Sequence, residues 1–164
     1  MIQEFCQWLH ETPLAATVRA NELLFPWVES IHVLAITLVL GSIAVVDLRL
    51  IGVASRGRPV TQLIREVLPV TWTAFVIAAI TGSTLFASNA VEYSHNTPFQ
   101  MKMLLMVLAG INMLVFHFVT YRGIGQWDQA PRTPPAAKLA GLFSIAIWIS
   151  IVAFGRWVGF TIGF

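Results

Sequence analysis

Residues 33–46 contain no charged side chain, whereas Glu29 and His32 come just before this run and Asp47 comes just after it. A helix needs about 20 apolar residues to cross a bilayer, and the segment 24–46 is long enough to do so. An ionisable side chain at membrane depth is costly and commonly has a function. The segment therefore predicts a membrane-spanning helix with candidate functional groups near both of its ends.

Three further segments have the same character, at about residues 68–91, 99–121 and 137–157. The chain is 57% hydrophobic and only 11% charged, with a mean hydropathy of +0.75, whereas soluble domains are about 25% charged. Short links join the four segments, so consecutive helices run in opposite directions. We therefore predict an all-α integral membrane protein, an antiparallel four-helix bundle in a lipid bilayer.

The segments between the predicted spans are polar or contain proline. Residues 1–22 include an amphipathic stretch that we expect to lie on the membrane surface, and the acidic start does not resemble a cleaved signal peptide. We expect a short, separate polar helix at 61–66, because Arg and Pro residues precede it and span two follows it. Prolines mark the segment 123–135 as a linker.

The basic residues predict the orientation of the bundle. Seven of the ten lie in the connections on one side of the membrane. They are Arg49, Arg56, Arg58, Arg65, Arg122, Arg132 and Lys138. Basic connections face the cytoplasm, so we expect both termini outside, and a bacterial inner membrane as the location. Ten basic residues in four spans and their loops do not form a nucleic-acid-binding surface, so no nucleic acid is expected as a partner.

Several candidate cofactor-binding groups gather toward the predicted outer side. Glu29 and His32 are three residues apart and share a helix face, while Lys102 and Arg156 lie near the outer ends of spans three and four. Imidazole is a ligand of haem iron and of copper, and cations can bind the acidic groups of a cofactor. Alternatively, Glu29 and His32 form an interfacial hydrogen-bonded pair, and the two cations extend to lipid headgroups.

Span three has a polar stripe of its own, because Lys102, Met106 and His117 fall near one helix face. We expect this face to line the bundle interior. Met106 lies at about the depth of His32, which makes it a candidate second ligand to a haem. His32 and His117 differ in depth by roughly 15 Å, so we do not expect them to bind one iron. His117 binds a cofactor elsewhere, or it hydrogen-bonds a carbonyl or Asp47.

A second set of soft ligands near the predicted outer surface favours copper instead. This set consists of His32, His95, Met101 and Met103. Cys6 and His10, four residues apart on a possible helix, could add a further soft pair, and a single cysteine cannot form an internal disulfide. The alternative for the methionines is ordinary packing.

Other features are less specific. Asp47 and Arg49 most simply form an ion pair at the cytoplasmic end of span one. Gly155, Gly159 and Gly163 have the spacing that allows two helices to approach closely, within the chain or in a homo-oligomer. No zinc-protease motif, nucleophile elbow or phosphate-binding glycine loop is present, so the sequence leaves open whether the protein is an enzyme.

Four motifs carry a resemblance that covers nearly the whole chain. They are Glu29-x-x-His32, Asp47-Leu-Arg-Leu-Ile-Gly, Phe99-x-x-Lys102 and Asn112-x-x-x-x-His117. With them the chain resembles a family of small, functionally uncharacterised bacterial four-span membrane proteins, which implies the fold but no activity. The histidine in span one and the pair Lys102 and Asn112 also resemble, more distantly, the CopD-type copper-resistance membrane proteins, which implies copper binding. The four-helix layout with a buried histidine is similar to b-type membrane cytochromes, which implies haem b.

Three hypotheses follow from these residues. The first is a membrane redox protein that holds haem b or another metal centre near the outer, periplasmic face and exchanges electrons with a redox partner. In it His32 is the chief ligand, Met106 or His95 the second, and Lys102 or Arg156 the anchor for acidic groups. The second is a copper-binding or copper-transport protein. The third is a non-catalytic accessory subunit whose polar residues only pack the bundle or bind a partner.

Overall fold

The computed structural model describes residues 1–130 and 132–162, except for the side chain of Ile2, and this part of the chain is helical with no strand. Its α-helices are α1 (Ile2–His10), α2 (Pro13–Ala20), α3 (Leu24–Ile51), α4 (Val60–Ser88), α5 (Ala90–His95), α6 (Thr97–Val115) and α7 (Pro135–Thr161). The axis of α6 continues through an irregular segment, Phe116–Thr120 and Tyr121–Gln126.

Four of these helices are long and apolar enough to cross a membrane, namely α3, α4, α6 with its irregular extension, and α7. Helix α3 alone has 28 residues, and a helix of about 20 residues spans the hydrocarbon core. Large apolar side chains such as Leu34, Ile80 and Phe143 are exposed on their outer surfaces, which suits lipid rather than water. The predicted all-α bundle of membrane-spanning helices is confirmed.

The four spans pack in the order α4, α3, α7, α6. Helix α3 packs along both α4 and α7, and α6 packs along α7. Among the described residues, α4 and α6 do not pack closely along their lengths. They meet at one end, where the ring of Phe86 stacks on that of Phe99 at 5.3 Å and 11°. The bundle is therefore closed by aromatic rings at that end and is more open between α4 and α6 below them.

We call this end of the bundle, with α1, α2 and α5, the N-terminal face. Arg19 of α2 links α2 to the ends of α1 and α4, since its Nη1 donates to the carbonyl oxygens of His10 at 2.9 Å and Ser88 at 2.7 Å. Cys6 is buried, while Phe5 and Trp8 are exposed on α1. Aromatic side chains of this kind favour the interfacial region of a bilayer.

The opposite end, with the connections 52–59 and 116–134, we call the loop face. Arg49 is fully buried there, and it donates to the carbonyl oxygens of Arg58 at 2.9 Å, Asp128 at 3.3 Å and Ala130 at 3.4 Å. The expected ion pair between Asp47 and Arg49 is wrong, because no ion pair joins them among the described residues. Two positions apart on a helix, the two side chains point to different sides.

Helix α4 begins at Val60 and runs unbroken through Pro69, so the polar stretch 61–66 is its first turns and not a separate helix. Asp128 supplies the cap that its own Pro59 lacks. The Thr61 N–H donates to Asp128 Oδ1 at 2.8 Å, and Thr61 Oγ1 donates to Oδ2 at 2.6 Å. A carboxylate at a helix N-terminus satisfies unpaired N–H groups and complements the helix dipole.

Two glycines determine the ends and spacing of α3. Gly52 has a φ of 86° and terminates the helix in the left-handed conformation that glycine adopts without strain. Gly141 brings α7 against α3, because a Cβ there would lie 3.1 Å from the carbonyl oxygen of Asp47 and 3.2 Å from Cβ of Leu50. A larger residue at 141 would push the two helices apart.

Candidate functional site

His32 lies on α3 and faces α4. Its Nδ1 is 3.0 Å from Thr81 Oγ1, while the Thr81 hydroxyl donates its proton to the carbonyl oxygen of Ile77 at 2.7 Å. With its proton directed to Ile77, the hydroxyl can accept a hydrogen bond from a protonated Nδ1. In that tautomer Nε2 of His32 is unprotonated, and that is the form that can bind a metal ion.

Gly82 makes room for the imidazole. A Cβ at position 82 would lie 2.7 Å from Cε1 of His32, 3.3 Å from its Nδ1 and 3.5 Å from its Nε2. A separation of 2.7 Å is shorter than real Cβ contacts, so any side chain at position 82 would force the His32 ring to move from this position. The successive residues Thr81 and Gly82 therefore act together: one orients the ring and the other accommodates it.

Lys102 brings a positive charge into the same half of the bundle from α6. Its side chain runs along Gly155 of α7, where an added Cβ would lie 3.6 Å from Nζ and 3.7 Å from Cδ and Cε. The ammonium is within electrostatic range of the His32 ring. In the part of the chain that the structure describes, Lys102 makes no hydrogen bond and no ion pair. A cation without a partner at this depth is available to an anionic ligand.

We call His32, Thr81, Gly82, Lys102 and Gly155 the His32 cluster. Aromatic rings cover it toward the N-terminal face, because Tyr93 of α5 contacts both members of the stacked pair of α4 and α6, at 6.2 and 5.3 Å. Burial, and then the charges of Glu29 and Glu92, raise the pKa of Tyr93 above its usual value. Glu29 and Glu92 therefore lie within electrostatic range of the Tyr93 hydroxyl.

Glu29 does not pair with His32. It is exposed, and among the described residues its carboxylate makes neither a hydrogen bond nor an ion pair. The interfacial pair that we considered from the spacing is thus not formed. Glu29 lies instead within electrostatic range of Tyr93, where it adds negative charge to the N-terminal face.

Arg156 lies next to Gly155 in sequence but points away from Lys102. Its side chain is exposed, and its guanidinium lies 4.9 Å from the centre of the Phe160 ring. This stacking on its own helix suits a residue at the membrane interface. Arg156 therefore lies near the His32 cluster in depth but outside it.

The methionines differ in their placement on α6. Met106 is half-buried and lies one turn beyond Lys102 on the same side of the helix. Met101 and Met103 are exposed by 38% and 45% among apolar neighbours. Two residues apart, they point about 200° away from each other around the helix axis. Met106 is thus the methionine placed nearest to Lys102 and its surroundings.

The remaining histidines lie apart from the cluster. His95 is exposed at the end of α5. The ring of His10 contacts Arg19, whose Nη1 is 3.1 Å from Nδ1 of His10. His117 is exposed in the irregular segment after α6, where its ring stacks on Tyr121 at 5.4 Å and 15°.

His117 belongs to the other end of the bundle. It follows Lys102 by fifteen residues, which is about 22 Å along a helix. The expectation that His32 and His117 lie at different depths agrees with these positions. No group of three or more His, Cys, Asp or Glu side chains in residues 1–130 and 132–162 is arranged to hold a metal ion.

Sequence reasoning missed the α4 side of the cluster. Thr81 and Gly82 belong to the predicted span at residues 68–91, which has no charged residue. No ionisable side chain in that segment therefore indicates which turn faces His32. The threonine-glycine pair in an otherwise apolar helix was the available signal, since small and hydroxyl-bearing residues mark helix contacts in membranes. Gly155 was noted for helix packing only, whereas it also lies along Lys102.

The comparisons with known proteins give a family but no activity. Residues 15–161 match the family model DUF6644, described as a family of unknown function, and the chain belongs to that family. No curated protein and no solved structure matches the chain. The resemblance to a family of unknown function with four spans is confirmed in this form, and no link to CopD-type proteins is found.

Proposed function

We propose that the protein is a membrane redox protein that binds haem b at the His32 cluster, with the His32 imidazole as its ligand to iron. The observation that supports this most is the hydrogen bond between His32 Nδ1 and Thr81 Oγ1 at 3.0 Å. A histidine that ligates a metal usually donates its other ring nitrogen to a fixed acceptor, which holds its tautomer and its orientation. Haem bound there would supply one-electron chemistry.

Lys102 supports the same ligand by charge. Haem b carries two propionates, and a cation held inside a membrane bundle without a protein partner is suited to bind one of them. Lys102 lies on Gly155, which leaves the ammonium free of side-chain crowding from α7. Arg156 is the second candidate anchor, because it lies at the same end of the bundle but faces the interface.

Met106 would be the candidate for a second protein ligand to the haem. Met106 lies on the side of α6 that carries Lys102, and its thioether is a haem ligand of known type. His95 is an alternative only with movement of α5, since it is exposed. We therefore expect that His32 would be the one histidine ligand and that Met106 would be available as a second ligand, so that no second histidine would bind the haem.

The copper alternative has less support from the geometry. It needs Met101 and Met103 to converge with His32 and His95 on one ion, but the two methionines point to different sides of α6. An accessory subunit without a cofactor would leave the orientation of His32 and the unpaired Lys102 without a role. Metal analysis of the purified protein distinguishes these three functions.

Orientation and location are part of the proposal. The seven basic residues on the loop face favour a cytoplasmic loop face and an N-terminal face outside, in a bacterial inner membrane. The His32 cluster would then exchange electrons with a partner at the periplasmic side. Gly155 and Gly159 could also support a homo-oligomer through α7, while Gly163 of the same motif lies outside the described residues.

Matched histidine variants test the haem proposal. We would purify the wild type, His32→Ala and His117→Ala in detergent from cells supplied with haem, and measure the ratio of haem to protein. The expected result is loss of haem in His32→Ala and full retention in His117→Ala, because the second histidine lies at the opposite end. Full haem content in His32→Ala would show that His32 is not the ligand.

A further inference from the structure

A second polar site lies in the other half of the bundle, around Asp47 of α3. Asp47 is only 5% exposed, and it comes four residues before the end of the helix at Ile51, which is about 6 Å along the axis. The carboxyl is therefore inside the protein but close to the loop face. None of the residues of the His32 cluster contacts it.

Helix α7 covers this carboxyl closely. At Gly141 the helix backbone approaches the carbonyl oxygen of Asp47 so closely that an added Cβ would be 3.1 Å away. The buried Ser144 lies one turn further along α7 and faces the Asp47 side chain with its hydroxyl. The second carboxyl oxygen, Oδ2, is buried and has no hydrogen-bond partner among the described residues.

No positive charge compensates this group. Arg49 is directed to three backbone carbonyls of the loops. Helix α4, which packs on the other side of α3, carries Arg65 and Glu66 at this level, and both side chains are exposed. Among the described residues no ion pair includes Asp47, and the Ser144 hydroxyl faces its carboxyl.

An ionised carboxylate in such surroundings is costly, since it loses its hydration and gains no ion pair that would compensate for the loss. The neutral acid costs much less. Buried carboxyls of this kind inside membrane bundles mark proton relays. We propose that Asp47 is a proton-binding site inside the membrane, which takes up a proton from water at the loop face and releases it there.

The chemistry is a simple acid–base equilibrium. Protonation forms the O–H bond of the carboxyl at the expense of one proton from water, and release returns that proton. Asp47 needs no haem, metal or partner for this exchange, so the inference stands independently of the proposed function. Oδ2, which has no hydrogen-bond partner among the described residues, is the oxygen at which the proton would be held, while the Ser144 hydroxyl faces the same carboxyl.

Infrared spectroscopy across a pH series tests this directly. We would record the C=O stretching band of protonated carboxyls for the full chain in detergent or lipid, with Asp47→Asn and, as a matched control, Asp128→Asn. The expected result is a band near neutral pH that is absent from Asp47→Asn, present in Asp128→Asn and lost reversibly as the pH is raised. A band that persists at every pH at which the protein stays folded would mean a permanently protonated structural acid, and the proposal would fail. A missing band near neutral pH would also overturn it.

A chemical probe keeps the test possible if Asp47→Asn does not fold. Dicyclohexylcarbodiimide enters membranes and reacts with protonated carboxyls: the acid proton moves to a carbodiimide nitrogen, and the carboxyl oxygen bonds to the central carbon. Peptide mapping of the labelled wild type should place the adduct on Asp47, with labelling that declines as the pH rises. Labelling confined to other carboxyls would contradict the proposal.

Discussion

The sharpest prediction concerns Gly82→Ala, because the structure shows the contact that a new methyl group would make. The added Cβ would lie 2.7 Å from Cε1 of His32, so the ring must move and its bond to Thr81 must lengthen or break. Overpacking of this kind costs about 1–3 kcal/mol. A lost side-chain hydrogen bond between membrane helices adds about 0.6 kcal/mol.

Gly110→Ala is the matched control. Gly110 also lies inside a spanning helix, α6, but an added Cβ there meets nothing within 4 Å. Both substitutions gain the same helix propensity, about 1 kcal/mol relative to glycine, so this gain cancels when the two variants are compared. We therefore expect Gly82→Ala to be less stable than Gly110→Ala by roughly 2–4 kcal/mol.

Thermal unfolding in one detergent, followed by tryptophan fluorescence, measures the difference. Gly82→Ala should melt several degrees below Gly110→Ala. The test continues in a His32→Ala background, where the ring is gone and the same Gly82→Ala change should cost nothing. Equal melting temperatures of the two glycine variants, or an unchanged penalty without the imidazole, would refute the placement of His32 on α4.

Two further predictions concern the loop face. Burial tends to raise the pKa of Asp128, but hydrogen bonds from Thr61 and the charge of Arg49 outweigh it and lower that pKa below its usual value. The Asp128 carboxylate therefore stabilises the fold above its unfolded pKa of about 3.9, and this stabilisation is lost as the pH falls through the lower folded pKa. Because asparagine cannot titrate, Asp128→Asn should lose less melting temperature on acidification than the wild type. An identical acid response would count against the cap. Gly141→Ala should separate α3 from α7 and lower the free energy of unfolding by about 1–3 kcal/mol, before the gain in helix propensity is counted. Gly159→Ala is the control, because an added Cβ there meets nothing within 4 Å, and it should cause no such loss. Equal melting temperatures of the two variants would contradict the close approach of α7 to α3.

The sequence predicted the four spans because their signal is composition, which survives without any knowledge of contacts. Predominantly apolar runs of membrane length mark each helix, and the structure has a spanning helix at each. Composition was a poorer indicator of where a helix begins when the helix extends beyond its apolar part. Polar residues 61–66 indicated a separate element, but an α-helix continues through them, since Asp128 from a distant loop caps its first turn.

The candidate site was predicted only in part. His32 and Lys102 were identified because ionisable groups are rare in spans, and the structure brings them into the same half of the bundle. Their partners Thr81 and Gly82 are neutral, and only the packing of α3 on α4 determines which turn they face. The ion pair expected for Asp47 was wrong because sequence adjacency says little about direction on a helix.

The most direct test of the central claim is an absorption spectrum of the detergent-purified protein, first oxidised in air and then reduced with dithionite, with metal analysis of the same sample. Binding of haem b through His32 predicts a Soret band that shifts on reduction, with about one iron per chain or per shared site. A preparation grown with ample haem that shows no Soret band would contradict the account, and stoichiometric copper in that sample would establish copper binding instead.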